Sequence, residues 1–328
     1  MSYQKLFSVA ATNRVLKRFL DAQAAKRTSG GDRRDGFVYD YHTEDIELRI
    51  NVALATARPL LLRGPSGSGK SSLARNVAIR LGRRYYEKVV TSSTQHTDLL
   101  WSFDALQRFH DAQAGKDGNV TLKKEEDYLE PGALWWAFDP ASARWRGAAE
   151  GATATAAVDP SPTKGESAVV LIDEIDKADP DLPNNLLVTL GSLEFSVPHI
   201  KTNPIQTASA SLVMITSNEE RDLPAAFLRR CVTLNLTGPS PQKLAQIAAL
   251  HYGTSIEKKK LYDAAAELLF NNAEPGAPVP STAEYLDTVA ACLTLGVKPV
   301  KTNKAWIGIH DATVLKRGPG EPAGQALP

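Results

Sequence analysis

One short stretch constrains this chain more than any other. Gly64-Pro65-Ser66-Gly67-Ser68-Gly69-Lys70-Ser71 has the form G-x4-G-K-[ST]. It lies between an apolar run, Pro59-Leu-Leu-Leu-Arg63, and an amphipathic stretch, Ser71 to Leu81. The spacing predicts a buried strand, a tight loop and a helix in succession. Glycines let the backbone curl so that successive N–H groups point at phosphate oxygens. The helix that follows adds the positive end of its dipole. Lys70 then reaches the β- and γ-phosphates, and the Ser71 hydroxyl ligates Mg²⁺. A chance match of this form is expected in roughly one chain per hundred of this length. The flanking strand and helix lower that rate further. Gly64 to Ser72 is therefore expected to bind a nucleotide.

A second feature answers the first about a hundred residues on. Val169-Val-Leu-Ile172 reads as a buried strand running into Asp173-Glu174. Open parallel sheets bind ligands at the carboxyl ends of their strands, where this acid pair falls. Asp173 is expected to position Mg²⁺, and Glu174 to polarise an attacking water as general base. Two adjacent acids favour hydrolysis over nucleotide storage. Asp176 and Asp179 are expected to cap or solubilise the next helix.

Strands alternate with helices from residue 40 to about 238, which argues for a parallel α/β sheet. Predicted strands end near Val90, Thr216 and Leu236. Predicted helices start at Thr43, Ser71, Asn184 and Leu223, and one runs from Leu99 to Ala114. Residues 4–25 carry a helical pattern, and 26–36 reads as a polar loop. Ala141 to Ser167 is rich in Ala, Gly and Thr and reads as an exposed irregular loop. After Thr237-Gly-Pro-Ser-Pro241 come three helices without strands, at Gln242–Tyr252, Ser255–Phe270 and Ser281–Leu295. The tail from Arg317 is Gly/Pro-rich and expected to be disordered. The expected division is an extension over 1–40, an α/β domain over 41–238, a helical domain over 239–316 and a tail over 317–328.

Composition excludes several classes. The 328 residues carry 38 Lys+Arg against 37 Asp+Glu, a net charge of +1, so no global basic field exists to hold nucleic acid. Cys231 and Cys292 stand alone, too few for a disulfide framework and without metal-ligand spacing. No leader pattern opens the chain, and no apolar stretch of about 18 residues occurs. A soluble cytosolic protein is the expectation. His42, His96, His110, His199, His251 and His310 show no metal or triad spacing. Trp135, Trp136 and Trp145 are expected to pack or anchor loops, and Lys258-Lys-Lys260 to face solvent.

With Ile172-Asp-Glu-Ile-Asp-Lys-Ala178, the two motifs resemble the Walker A and Walker B of AAA+ ATPases, in the MoxR-like branch. Val52 to Pro59 and Pro131-Gly-Ala-Leu134 are similar to that branch's flanking segments. The resemblance covers about residues 40–300. It implies a P-loop NTPase module, a parallel sheet sandwiched by helices, followed by a helical lid. It implies ATP and Mg²⁺, and assembly of identical subunits into a ring, expected to be a hexamer. In such proteins the strand Ser211–Thr216 lies between the two Walker strands and carries a water-orienting sensor, which Asn218 matches. Leu223 to Cys231 looks like a helix ending in an arginine finger that reaches the neighbouring subunit's γ-phosphate. Arg230 is favoured for that role and Arg229 is close behind.

The sequence also departs from the pattern. Pro278 to Glu284 contains no arginine where related lids carry a second sensor, and Lys301 or Lys304 are the nearby substitutes. Glu194–Pro198 and Ile205–Ala208 could form the branch's hairpin insert, and Asp98–Lys116 corresponds to its helix-two insert. The implied output is remodelling of a partner protein, in this branch one with a von Willebrand factor A domain. Two alternatives stay open: an NTPase linked to nucleic acid, similar to the McrB-type branch, and a nucleotide-gated scaffold in a defence or signalling system.

Overall fold

A computed structural model of the protein describes residues 3–10, 36–41, 43–116, 122–150, 156–198, 200, 204–207, 210–271 and 280–315. Contacts divide the chain into two compact units. One holds Met1–Phe37, Tyr41–Arg63 and Ser71–Asn235, and the other Val38–Asp40, Gly64–Lys70 and Leu236–Pro328.

The strands are β1 (Leu60–Arg63), β2 (Arg84–Val89), β3 (Trp101–Phe103), β4 (Leu129–Pro131), β5 (Ala168–Asp173), β6 (Glu194–Phe195), β7 (Ile205–Gln206), β8 (Leu212–Ser217) and β9 (Val232–Asn235). In the first unit five of them form a parallel sheet in the order β2-β5-β8-β1-β9. The apolar runs of β1, β5 and β8 are buried, as expected of central parallel strands covered on both faces. The strand that leads to Asn218 thus lies between the two motif-bearing strands. The core beside the sheet includes Tyr86, Trp135, Trp136, Phe138, Leu186 and Phe195. Trp135 and Trp136 are packing residues, with the Trp135 ring edge-on to Phe195 at 6.1 Å.

Three expectations for this unit are corrected. The continuous helix over 99–114 is instead a short helix, His96–Leu100, then β3, then a second helix, Ala105–Lys116. A capping box of Gln95 and Asp98 starts the first helix early. Gly132 N–H then donates to the Leu100 carbonyl at 2.8 Å, and β3 pairs antiparallel with β4. Asp104 restarts the helix by accepting from Gln107 N–H at 2.8 Å. The described part of the expected N-terminal helix, residues 3–10, is irregular. There Asn51 Oδ1 accepts from the N–H groups of Leu6 and Phe7 at 2.7 and 2.8 Å, and its amide returns a bond to the Phe7 carbonyl. Backbone groups committed to a side chain are lost to a helical ladder. The remainder of that pattern, over 11–25, lies outside the described residues.

The third correction concerns the described parts of 141–167, residues 141–150 and 156–167, which pack more than their composition suggests; 151–155 lie outside the described residues. Asp139 caps a helix over Pro140–Arg144, and Ala143 and Arg146 are buried. Ser161 Oγ accepts from Tyr85 N–H at 3.0 Å on edge strand β2, while Asp159 accepts from the Tyr86 hydroxyl at 3.0 Å. β6 and β7 pair as a short antiparallel hairpin.

The second unit is helical: Pro241–Tyr252, Ile256–Asn271, Thr282–Leu295 and a fourth helix, Lys304–His310, that the sequence reading did not separate. Their apolar faces meet around Leu244, Tyr262, Tyr285, Val289, Cys292 and Trp306. Ser240, Ser281 and Asn303 cap three of the four. The tail expected from Arg317 lies outside the described residues. No helix among the described residues is long and apolar enough to cross a membrane.

Candidate functional site: an acidic strand end and a glycine-rich loop

In the sheet unit the chemistry gathers at the carboxyl ends of β5 and β8. Ile172 pairs with Ile215, which brings Asp173 level with Thr216. The two oxygens of Asp173 are divided. Oδ2 accepts from Ser71 Oγ at 2.9 Å, on the first turn of the helix Lys70–Leu81, and Oδ1 accepts from Thr216 Oγ1. Thr216 in turn accepts from Glu174 N–H at 2.8 Å. Thr216 is fully buried, which shields its own end of these bonds from water. Ser72, next along that helix, is partly buried.

Glu174 leaves the strand in a left-handed conformation, φ 61°, which turns its side chain out of the β ladder. Both of its carboxylate oxygens have partners. Lys177 Nζ donates to Oε2 at 2.9 Å, and Asn218 Nδ2 lies 3.4 Å from Oε1. The hydrogen bond to Glu174, together with its charge, raises the pKa of the Lys177 ammonium above the ordinary lysine value. The sequence-expected base and sensor are thus neighbours in space, 44 residues apart in sequence.

Asp176 corrects an expectation. It is not a helix-capping or solvating group but a buried carboxylate, 3 % exposed. Its Oδ2 accepts from the backbone N–H groups of Asn218 and Glu220, both at 3.1 Å. The buried Oδ1 has no hydrogen-bond partner among the described residues. Asp176 therefore fixes the backbone that carries Asn218. Asp179 behaves as expected and accepts from Asp181 N–H at 3.0 Å. Arg63, at the end of β1, pairs with Glu219 at 2.5 Å.

Arg229 and Arg230 end the helix Ala225–Arg230 with exposed side chains. They make no hydrogen bond to the carboxylates around Asp173, so this chain does not bring them into that cluster.

The loop Gly64–Lys70 belongs by its contacts to the helical unit. Gly64, Gly67 and Gly69 all have positive φ, at 140°, 74° and 89°. A Cβ on Gly64 would lie 2.1 Å from the Leu236 carbonyl oxygen, and one on Gly67 would lie 2.3 Å from Ser281 Cβ. Neither site has room for a side chain. Lys70 is buried and donates to the carbonyls of Gly64 and Pro65, both at 2.8 Å. Ser68 is also buried, and its hydroxyl has no partner among the described residues. Pro65 and Ser66 are exposed at the tip. Tyr39 lies against Gly69, and burial pushes its phenol pKa far above the usual range, with Asp40 adding to the rise. In place of the missing second-sensor arginine, Ser281 sits at the loop, at the cap of the helix Thr282–Leu295. Lys301 and Lys304 are exposed.

The donor set suits a hard divalent ion. Ser71 and Asp173 offer one hydroxyl and one carboxylate oxygen, the pattern of Mg²⁺ sites completed by substrate phosphates and water. No group of three or more His, Cys, Asp or Glu among the described residues could hold a metal alone. The loop likewise suits phosphate: three glycines at positive φ, two of which admit no Cβ, with Lys70 and Ser68 buried in it.

Sequence reasoning missed Thr216, Lys177 and the true part of Asp176. Thr216 was legible only as the last residue of an apolar strand, and Asp176 and Lys177 lay inside the quoted acidic motif without a spatial partner to explain them.

No curated protein matches the chain in sequence. Solved structures are similar in backbone at low identity. A point mutant of Thermotoga maritima RuvB has 14 % identity and TM-score 0.45, covering 82 % of this chain and 69 % of its own. The Thermotoga maritima RuvB Holliday junction branch migration motor has 14 % identity and TM-score 0.42 over the same shares. The family model that matches is the AAA domain of the dynein-related subfamily, over residues 59–231, from the strand before the glycine-rich loop to the end of the helix that bears Arg229 and Arg230. That match spans more than half of the 328 residues and both acidic and glycine-rich motifs, and with the parallel α/β sheet and helical C-terminal unit it makes the chain a member of the AAA+ family.

Proposed function

We propose that the chain is a MgATP-hydrolysing AAA+ ATPase that works as a ring and remodels a partner protein, in the manner of the MoxR-like branch. The observation that carries the hydrolytic reading is the division of labour between adjacent acids. Asp173 is tied to the Ser71 hydroxyl, where a metal would be held, while Glu174 faces Asn218 and Lys177.

Gly64 to Gly69 would wrap the phosphates with backbone N–H groups, and Lys70 would exchange its two carbonyl partners for β- and γ-phosphate oxygens. Ser71 and Asp173 would hold Mg²⁺, which when bound neutralises charge on the β- and γ-phosphate oxygens. Glu174 takes a proton from the attacking water, and Asn218, able to donate and accept, orients that water. Arg230, or Arg229 beside it, would reach the γ-phosphate held by a neighbouring subunit, so turnover requires assembly. The hairpin of β6 and β7 and the helix Ala105–Lys116 are the elements assigned to the partner protein. The resemblance to the MoxR-like branch makes a von Willebrand factor A domain the partner to test first.

The test is steady-state phosphate release by the wild-type chain across a concentration series, with light scattering in MgATP and in MgADP. Activity that rises with assembly, and a Glu174→Gln protein that assembles in ATP without turning over, support the reading. Release stimulated by DNA, or salt-sensitive DNA binding, would favour a nucleic-acid motor instead. Assembly and partner binding unaffected by Glu174→Gln would favour a scaffold.

A further inference from the structure

The helix Ala225–Arg230 is six residues long and ends on the two exposed arginines. Within it, a helix this short leaves most of its carbonyls without intrahelical partners. Its last turn is held from outside. Arg58, in the turn that precedes β1, donates from Nε to the Arg230 carbonyl at 3.0 Å. Its other terminus, Nη2, donates to the carbonyls of Arg229 and Cys231, the latter at 3.1 Å. One guanidinium therefore gathers three consecutive carbonyls, more than 170 residues away in sequence. A planar fork of fixed donors fits such a cluster in a way an ammonium does not. Its positive charge also lies at the negative end of the helix.

The turn that carries Arg58 is itself anchored. Ala57 takes a left-handed conformation, φ 53°, at the end of the helix Glu44–Thr56. Pro59 accepts from Val232 N–H at 2.8 Å, and Leu60 pairs with Val232 in the sheet. Arg58 thus projects from the turn before β1 onto the backbone of the residues expected to act on another subunit's nucleotide. It touches no part of the acidic cluster of its own chain.

We infer that Arg58 is a positioning residue for the arginine finger, aiming Arg229 and Arg230 by clamping their own carbonyls. This rests on the proposed reading that the finger acts between subunits, and the test separates the two. Protomers carrying Glu174→Gln cannot hydrolyse but keep a finger. Protomers carrying Arg229→Ala and Arg230→Ala lack a finger but keep a complete acidic cluster. If the finger acts in trans, mixing the two restores phosphate release above either alone. Arg58→Ala is then placed in one protomer type at a time.

A positioning role predicts that Arg58→Ala in the finger-donating protomer lowers the restored rate by about a hundredfold, the scale of a one-ångström misplacement. In the finger-less protomer it leaves the restored rate unchanged. Arg58→Lys in the donor recovers only part of the rate. Equal loss in both placements, or no loss in either, overturns the inference. Failure of the parent pair to restore any rate overturns the in-trans reading on which it rests. Melting temperatures of the singly substituted proteins, expected within a few degrees of the parent, exclude loss of the fold as the cause.

Discussion

Thr216 donates its hydroxyl proton to Asp173, from the neighbouring strand of the sheet. The same oxygen accepts the backbone N–H of Glu174. One buried hydroxyl thus fixes one oxygen of Asp173 and the backbone exit of Glu174. Thr216→Val keeps the shape and removes both bonds. It should cost about 1–3 kcal/mol of stability through the unpaired amide and carboxylate. A denaturant melt checks that, and a Mg²⁺ titration of nucleotide binding should show weaker metal dependence than the wild-type chain.

Glu174→Gln removes the proposed base while leaving an oxygen near Asn218 and Lys177. Hydrolysis should fall by about 10²–10⁴-fold, the usual worth of general-base catalysis. Nucleotide affinity should stay within a few-fold, read by equilibrium binding of a fluorescent ATP analogue. A parallel loss of affinity would mean that Glu174 holds the nucleotide and not the water.

Asp176 anchors the loop that carries Asn218 through two backbone N–H groups. Asp176→Ala strands both donors and should destabilise the protein by about 2–4 kcal/mol. Hydrolysis should fall further than stability at the assay temperature accounts for, because Asn218 loses its fixed backbone. Thermal melting alongside turnover at low temperature separates the two effects.

Gly67 has no space for a side chain because Ser281 occupies it. Gly67→Ala should weaken nucleotide binding and lower the melting temperature. Adding Ser281→Gly relieves the contact but not the positive φ of 74°, so the double variant should recover only part of the loss. Full recovery would show that backbone strain at Gly67 is unimportant.

Burial pushes the Cys231 thiol up to about 12 and the Cys292 thiol up to about 11. Both stay protonated at pH 8 in the folded chain, and the thiolate is the reactive form. An alkylating reagent at pH 8 should leave both intact, as counted by mass, and should label both once the chain is unfolded. The sign follows for stability as well. The unfolded thiols ionise from about pH 9 while the folded ones do not, so their contribution is complete below pH 9 and is lost as pH rises through 11 and 12.

Local pattern carried the sequence reading furthest where it coincided with burial on both faces. The apolar runs ending at Arg63, Asp173 and Thr216 are too short for a helix and suit strands buried on both faces. Ser71, Asp173, Glu174 and Asn218 were legible because each sits at a motif or at a strand end. Arg58 was not, because its partners are backbone carbonyls about 170 residues distant, which leave no pattern in composition. The same holds for Asn51, whose bonds to Leu6 and Phe7 displace a helix that periodicity alone would draw. Trp101–Phe103 was lost inside a helical pattern because its pairing partner lies beyond a polar loop.

Ser161 closes the outward N–H of Tyr85 on the first strand of the sheet, and Asp159 holds the next tyrosine's hydroxyl beside it. At Tyr85 the edge is thus closed to a strand arriving from another molecule. A molecule docking at this position would meet side chains and a loop rather than a free backbone donor.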